Sequence, residues 1–449
     1  MASAPTLGNI AAHIEQCEHQ HVVAQGRGTP AVVELESLLS STGTDDIVSR
    51  SNPYEILSVI ESRLDPRSHQ VGCLFLLNHV CLNHWSELLK GKQESTLLFT
   101  DFIRVACSFL SACRVDDYIG YSTVSQQRLG SLCAGVGKLA ISCEIPKVVI
   151  CPLISGLQCM VHGKFERITP VSHLVLQACI MAKCYSKAST LLASQGKSLT
   201  VYEPRIYNTA ESDILLYFYS AGLVHTGLKE YEKAFDMFLG VLVMPHVHLS
   251  DVTVDAAKKY IVISLILHGT MKHLPKYAPK IVVRNIFSEC EEYMQLVEHM
   301  NSLHESNDAT RRVDEFVISR QETWVADGNL GLVNVLMSIQ KHRVLKKLGR
   351  IYTCIPKSRA ASELGLEGSD SVDEVLLACA DSLPARIDDT MDVICFEEDQ
   401  NVKMRELLDL IQDCLHMKQA IDEDSHQIQC SPAFILQQET RKMASTSLK

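Results

Sequence analysis

The sequence predicts a mainly α protein: a right-handed superhelix of tetratricopeptide-like helix pairs, then a winged-helix module and one C-terminal helix. Three observations carry this. Apolar residues recur at helical spacing in segments of roughly 10–18 residues from about Ser51 to Ile318, with brief Gly, Pro or Asn breaks between them. Alternating, strand-like patterns are scarce until the last quarter. There, short helix, turn, short helix and two short alternating runs follow one another in the order of a winged helix.

The elements justify themselves in order. Val71, Leu74, Leu77, Cys81 and Leu82 share one helical face, as do Phe102, Val105, Phe109 and Leu110. A pair spans His173 to Leu192. Phe218, Gly222, Ala234 and Phe238 sit at the aromatic, small, small and aromatic positions of a 34-residue repeat. Two small residues let the helices approach, the two rings fill the space beside them, and Gly227-Leu228-Lys229 makes the turn. The next helix begins near Val252 and turns at His268-Gly269. Short links of this kind make neighbours antiparallel, and stacked pairs bury a continuous core.

After Asp327 the texture changes. Leu330 to Gln340 and His342 to Tyr352 read as two helices. Pro356-Lys357-Ser358 opens a short helix to Leu364, and Ser371-x-x-Glu374 is a capping box for another ending near Asp381. Strand candidates are Ala385 to Ile387 and Val393 to Phe396. Val402 to about Glu423 is one long helix. Met404, Leu408, Ile411 and Leu415 form one stripe along it, widened by Leu407, Leu410, Cys414, Met417 and Ile421. So wide a stripe requires a cover, either its own chain or helices of other chains. The expected domains are a disordered segment at 1–30, helical repeats at 31–200, a second repeat region at 201–325, the winged helix at 326–400, the terminal helix at 401–426 and a disordered tail at 427–449.

Composition narrows the function. The 449 residues carry 42 Lys and Arg against 53 Asp and Glu, a formal charge of −11, which opposes general binding to nucleic acid. In the winged-helix region, the helix that would enter a groove carries Asp373, Glu374 and Asp381 and no basic residue. The basic cluster of Lys341, Arg343, Lys346, Lys347 and Arg350 reads as a solvated helix face. The 17 cysteines include no Cys-x-x-Cys pair, and the N-terminus has no apolar leader, so a reducing compartment is expected, with cysteine as a small core residue. No apolar stretch reaches the roughly 20 residues of a membrane span.

Chemistry-bearing motifs fail on inspection. Gly135-Val136-Gly137-Lys138 resembles the end of a phosphate loop. Leu132 and Leu139, however, stand where the first glycine and the Mg²⁺-binding hydroxyl belong, so it reads as a turn between helices. His246-Val247-His248 could begin a zinc isopeptidase pattern, but Ala256 and Lys259 occupy the serine and aspartate positions, and a lysine cannot ligate the metal. No catalytic residue, cofactor or metal is expected, and nothing argues for an enzyme.

Helical repeats, a winged helix and a terminal helix, in that order, resemble the PCI-domain family, found in the proteasome lid, the COP signalosome and a translation initiation complex. The local sequence is similar to the third-subunit branch of the signalosome. The residues that carry this are Tyr219-x-x-Gly222 with Gly227-Leu228-Lys229, Ala257-Lys258-Lys259-Tyr260-Ile261-Val262 with Ser264-Leu265-Ile266-Leu267, Leu274-Pro275-Lys276-Tyr277, and Asn329-Leu330-Gly331-Leu332-Val333. The family's wing turn carries a glycine; here Asp392 stands there. The resemblance implies that 201–325 is the helical half of a PCI domain. It also implies a non-catalytic scaffold in a complex that removes the ubiquitin-like modifier NEDD from cullin-RING ligases, in cytoplasm and nucleus; a proteasome-lid scaffold is the alternative. Its partners would be other subunits, and cullin-RING ligases only indirectly. The contacts would be Ile387, Val393 and Phe396 in a hairpin pairing edge to edge, and Met404, Leu408, Ile411 and Leu415 in a shared helix bundle.

Overall fold

The computed structural model describes residues 7–24, 30–39, 42–85, 88, 97–113, 123–161, 168–194, 210–245, 248–302, 309–366, 370–379, 385–388, 392–396 and 400–430. They form two compact units, Met1–Ser302 with Phe316–Leu336, and Leu303–Glu315 with Met337–Lys449. The border expected at residue 200 does not separate units, because one apolar core runs from Ile10 to Val224. The border expected at 326 instead falls inside a helix, between Leu336 and Met337.

The first unit opens with α1 (Leu7–Ala24), α2 (Pro30–Leu39), α3 (Thr42–Arg50), α4 (Pro53–Arg63) and α5 (Gln70–Asn83). Residues 7–24 of the segment expected to be disordered are thus helix. Ile10, Ala11, Ile14 and Cys17 recur at 3- and 4-residue spacing and are all buried. Ile14 lies where a side chain on Gly72 would stand, so glycine there admits α1 against α5. The polar residues between them (His13, Glu15, Gln16, Glu18) mask this stripe in the sequence.

Glu18 caps α5. Its Oε1 accepts from the amides of Val71 (2.8 Å) and Gly72 (3.2 Å), two donors the helix leaves open. Burial pushes the carboxyl up to about 8, while the two backbone bonds pull the other way. The folded state therefore holds this proton to higher pH than the unfolded chain does. The stabilisation is complete below about 4.5, the ordinary carboxyl value, and is lost as pH rises through about 8. Glu18→Gln keeps a carbonyl acceptor and cannot ionise. Between pH 6 and pH 9 urea denaturation should find wild type losing roughly 2–3 kcal/mol more than the variant. Parallel pH profiles would contradict this.

The unit continues with α6 (Leu97–Ala112), α7 (Thr123–Ser142), α8 (Pro146–Met160), α9 (Ser172–Met181) and α10 (Tyr185–Ser194). The phosphate-loop lookalike is neither a loop nor the expected turn: Gly135, Gly137 and Lys138 lie inside α7. Its glycines serve packing, with Cys81 of α5 against Gly135 and Leu174 of α9 against Gly137. Successive elements pack along the chain: α7 on α8, α9 on α10, and α9 on α11 (Glu211–Gly227).

Then α11 pairs with α12 (Tyr231–Val243), and α12 with α13 (Asp251–His268). Ala234 and Phe238 are fully buried, and a Cβ on Gly222 would meet the Phe238 ring at 2.8 Å. Phe218 packs against Gly240, where an added Cβ would lie 3.0 Å from its ring. Close approach, not turn geometry, is why Gly222 is glycine. Gly222→Ala should cost about 1–3 kcal/mol by overpacking, read as a lower urea midpoint at constant m-value. The α13 helix begins with Ser250 accepting from the Thr253 amide (3.3 Å) and ends at Gly269, whose φ of 77° favours glycine.

After α13 come α14 (Lys280–Glu289), α15 (Glu291–Asn301), α16 (Ala309–Ser319), α17 (Gln321–Ala326) and α18 (Leu330–Ile351). The two helices expected at 330–340 and 342–352 are one, because no breaker interrupts Gln340 to His342.

In the second unit β1 (Cys354–Pro356), α19 (Lys357–Leu364), α20 (Asp370–Cys379), β2 (Ala385–Asp388) and β3 (Val393–Phe396) give the connectivity of a winged helix. The sheet is antiparallel with β3 in the centre, ordered β1-β3-β2. Its core gathers Leu345, Leu348, Ile355, Leu364, Val372 and Ile394. The chain ends in α21 (Gln400–Cys430), seven residues longer than the expected helix end near Glu423, so 427–430 is helix, not tail. Residues 431–449 lie outside the described residues.

Candidate functional site

The conspicuous surface is on α21. Leu407, Leu408, Leu410, Ile411, Leu415, Met417 and Ile421 are each between 46% and 65% exposed. At 3.6 residues per turn, these positions with Met404 and Cys414 cover an arc of about 180°. The other side carries Arg405, Glu406, Asp409, Gln412, Asp413 and His416. A two-stranded coiled coil needs only a narrow seam, whereas half a circumference suits a helix touching more than one neighbour. The side chain of Met404 lies outside the described residues.

The hairpin residues divide. Ile387 pairs with Ile394, and Asp388 with Val393, in the β2–β3 ladder. Val393 is half-buried and Phe396 is buried. An added Cβ on Gly349 would lie 3.0 Å from the Phe396 ring, which belongs to the unit's own core. Both residues sit on the central strand, whose two edges are already paired. Edge-to-edge pairing can therefore use only β2 or β1, and of the three hairpin residues only Ile387 lies on such a strand.

Acidic and basic residues of this unit serve its fold. The buried Lys357 ammonium lies 3.2 Å from Asp373 and 3.8 Å from Asp392. Asp392 has a φ of 54°, the left-handed turn that glycine usually fills and aspartate tolerates, and its carbonyl accepts from the Lys357 amide at 3.0 Å. The basic cluster of α18 is not a fully solvated face: Lys341 pairs with Asp314 at 3.5 Å, Arg343 and Lys346 are half-buried, and only Lys347 and Arg350 are fully exposed. Burial lowers the Arg343 guanidinium from its ordinary value.

The first unit holds a polar network that sequence reading missed. Lys258 donates to Asp327 (2.7 Å), Tyr293 donates its hydroxyl to the other Asp327 oxygen (2.8 Å), and the buried Asn329 amide donates to the Tyr293 hydroxyl (2.7 Å). Trp324 sits edge-on to Tyr293 and donates to the Val317 carbonyl (3.1 Å). Next to it Lys259 pairs with Asp255 (2.7 Å), which also accepts from Tyr219. The signal was present: adjacent lysines at 258 and 259 interrupt an otherwise apolar helix. These charges tie α13 to α11 and to the α17–α18 turn. A separate cavity of about 400 Å³ is lined by His273, Leu274, Lys276, Lys280, Arg284 and Ile286.

Among the described residues no group of three His, Cys, Asp or Glu could hold a metal, and no helix is long and apolar enough to cross a membrane. His246 and Val247 lie outside the described residues.

Stacked helix pairs, a winged-helix connectivity and an exposed apolar helix face define a helical-repeat protein. The model of a family described as COP9 signalosome complex subunit 3, N-terminal helical repeats, matches residues 33–282. The chain belongs to that family. It is 29% identical to COP9 signalosome complex subunit 3 of Dictyostelium discoideum over 311 residues, 69% of each chain. It is 24% identical to the Arabidopsis thaliana protein of the same description over 394 residues, 86% of this chain and 85% of that one. The motifs around Lys258, Lys259 and Asn329 that carried the resemblance are those that build the buried network.

Proposed function

We propose that this chain is a non-catalytic scaffold subunit of the COP9 signalosome. Through that complex it takes part in removing the ubiquitin-like modifier NEDD from cullin-RING ligases, and so in regulating ubiquitin-dependent protein degradation. The observation that carries this reading is the half-circumference apolar arc left exposed on α21, in a chain whose repeats belong to a signalosome-subunit family. The arc enters a multi-helix bundle with other subunits, and the β2 edge with Ile387 accepts a neighbouring strand by β-augmentation. Cullin-RING ligases are reached indirectly, through the assembly. The chain works where the assembly works, in cytoplasm and nucleus, and brings no cofactor or metal.

The test is a pull-down of the tagged chain from native extract, sized by gel filtration and identified by mass spectrometry. A particle of several hundred kilodaltons containing a zinc isopeptidase subunit is expected. A species near its own 49.9 kDa would overturn the reading.

A further inference from the structure

Cys354 of β1 and Cys395 of β3 face one another across the antiparallel ladder. Backbone bonds at Phe396 N to Thr353 O (2.8 Å) and Lys357 N to Asp392 O (3.0 Å) define the alternation of that ladder. Cys354 and Cys395 fall in a pair that exchanges no backbone bond, where Cα atoms approach to about 4.5 Å. That separation lies within the roughly 4.4–6.8 Å a disulfide spans. Ile355 and Ile394, the next pair along, point into the core and are 1% and 0% exposed. By alternation the two thiols lie on the outer face: Cys354 is exposed and Cys395 half-buried. Their sulfurs are 2.9 Å apart. In the core, burial pushes the thiols of Cys73, Cys81 and Cys133 up and keeps them protonated.

We infer that Cys354 and Cys395 are a redox-modification site, a dithiol that hydrogen peroxide closes to a cross-strand disulfide. The Cys354 thiolate attacks a peroxide oxygen, the O–O bond breaks, and sulfenic acid and water form. The Cys395 thiolate then attacks the sulfenic sulfur; the S–S bond forms, the S–O bond breaks and a second water leaves. Two thiols lose two electrons and two protons, and one peroxide gains them. An exposed bond between strands stays open to thiol exchange, so the link is reversible in a reducing compartment. It ties the strand that enters the winged helix to the strand at the centre of its sheet.

The test treats the full-length chain with hydrogen peroxide, caps remaining thiols with a maleimide, and digests it without reductant for mass spectrometry. A peptide joining Cys354 to Cys395 should appear, disappear with dithiothreitol, and be absent from Cys354→Ser. In Cys395→Ser the lone Cys354 should instead be trapped by a sulfenic-acid probe, with the far-UV circular dichroism unchanged. Both cysteines recovered as maleimide adducts while Cys151 or Cys414 is oxidised would overturn the inference. So would Cys354 driven to sulfinic acid without any link.

Discussion

Leu408→Asp with Ile411→Asp should abolish incorporation of this chain into its complex while leaving its fold intact. Both residues are about half exposed in the isolated chain (54% and 46%), so the substitutions remove nothing that the monomer buries well. In an assembled bundle the same positions would be covered. Two unpaired carboxylates there would face apolar neighbours, at a cost of several kcal/mol. The double variant should unfold within about 0.5 kcal/mol of wild type, as surface substitutions do. Co-purification with signalosome subunits should fall more than about tenfold, which needs only about 1.4 kcal/mol of lost association energy. Asp413→Asn with His416→Gln, on the opposite face, should change neither quantity. Wild-type co-purification by the double variant would remove α21 from the interface.

The second large effect concerns stability. Asp327 accepts from Lys258 and from Tyr293, and Lys258 and Asp327 are each about one-fifth exposed. Asp327→Ala leaves a mostly covered ammonium and a tyrosine hydroxyl without their acceptor. The expected loss is about 3 kcal/mol, the low end for a broken buried pair because some solvent reaches it. Lys258→Met with Asp327→Asn removes both charges and keeps an acceptor for Tyr293. It should recover at least half of that loss in urea denaturation. Equal losses in the two variants would mean that packing around Trp324, not charge pairing, holds this region.

What could be read from the sequence follows the range of the forces involved. Apolar spacing is local, so the helices around Phe102, Phe218 and Tyr260 were legible, as was the pairing at Gly222 and Phe238. The strands expected at 385–387 and 393–396 were legible too, the first one residue short of its end at Asp388, because alternation with turn residues is a short-range signal. Long-range compensation was not. Helix α1 looked too polar to fold because its partner, the Gly72 face of α5, lies far along the chain. The glycines of α7 looked like a turn because nothing local shows that Cys81 and Leu174 press on them. The central place of β3 depends on β1, a strand of only three residues, so Val393 and Phe396 could be taken for edge positions. The Cys354–Cys395 pair carries no spacing signal at all; only the ladder register brings the two sulfurs together. Asp392 was the opposite case, since turn chemistry alone anticipates the left-handed geometry it adopts.

The scaffold role proposed for this chain requires α21 to be a docking helix whose apolar arc is covered only on assembly. Amide hydrogen exchange over residues 400–430, compared between the isolated chain and the native complex, tests this most directly. A helix without tertiary cover opens with little free energy, so rapid exchange is expected in the isolated chain. In the complex the amides from Leu407 to Ile421 should slow by more than about a hundredfold, while those of α13 stay slow in both. Equal exchange of α21 in the two states would contradict the scaffold reading at its central point.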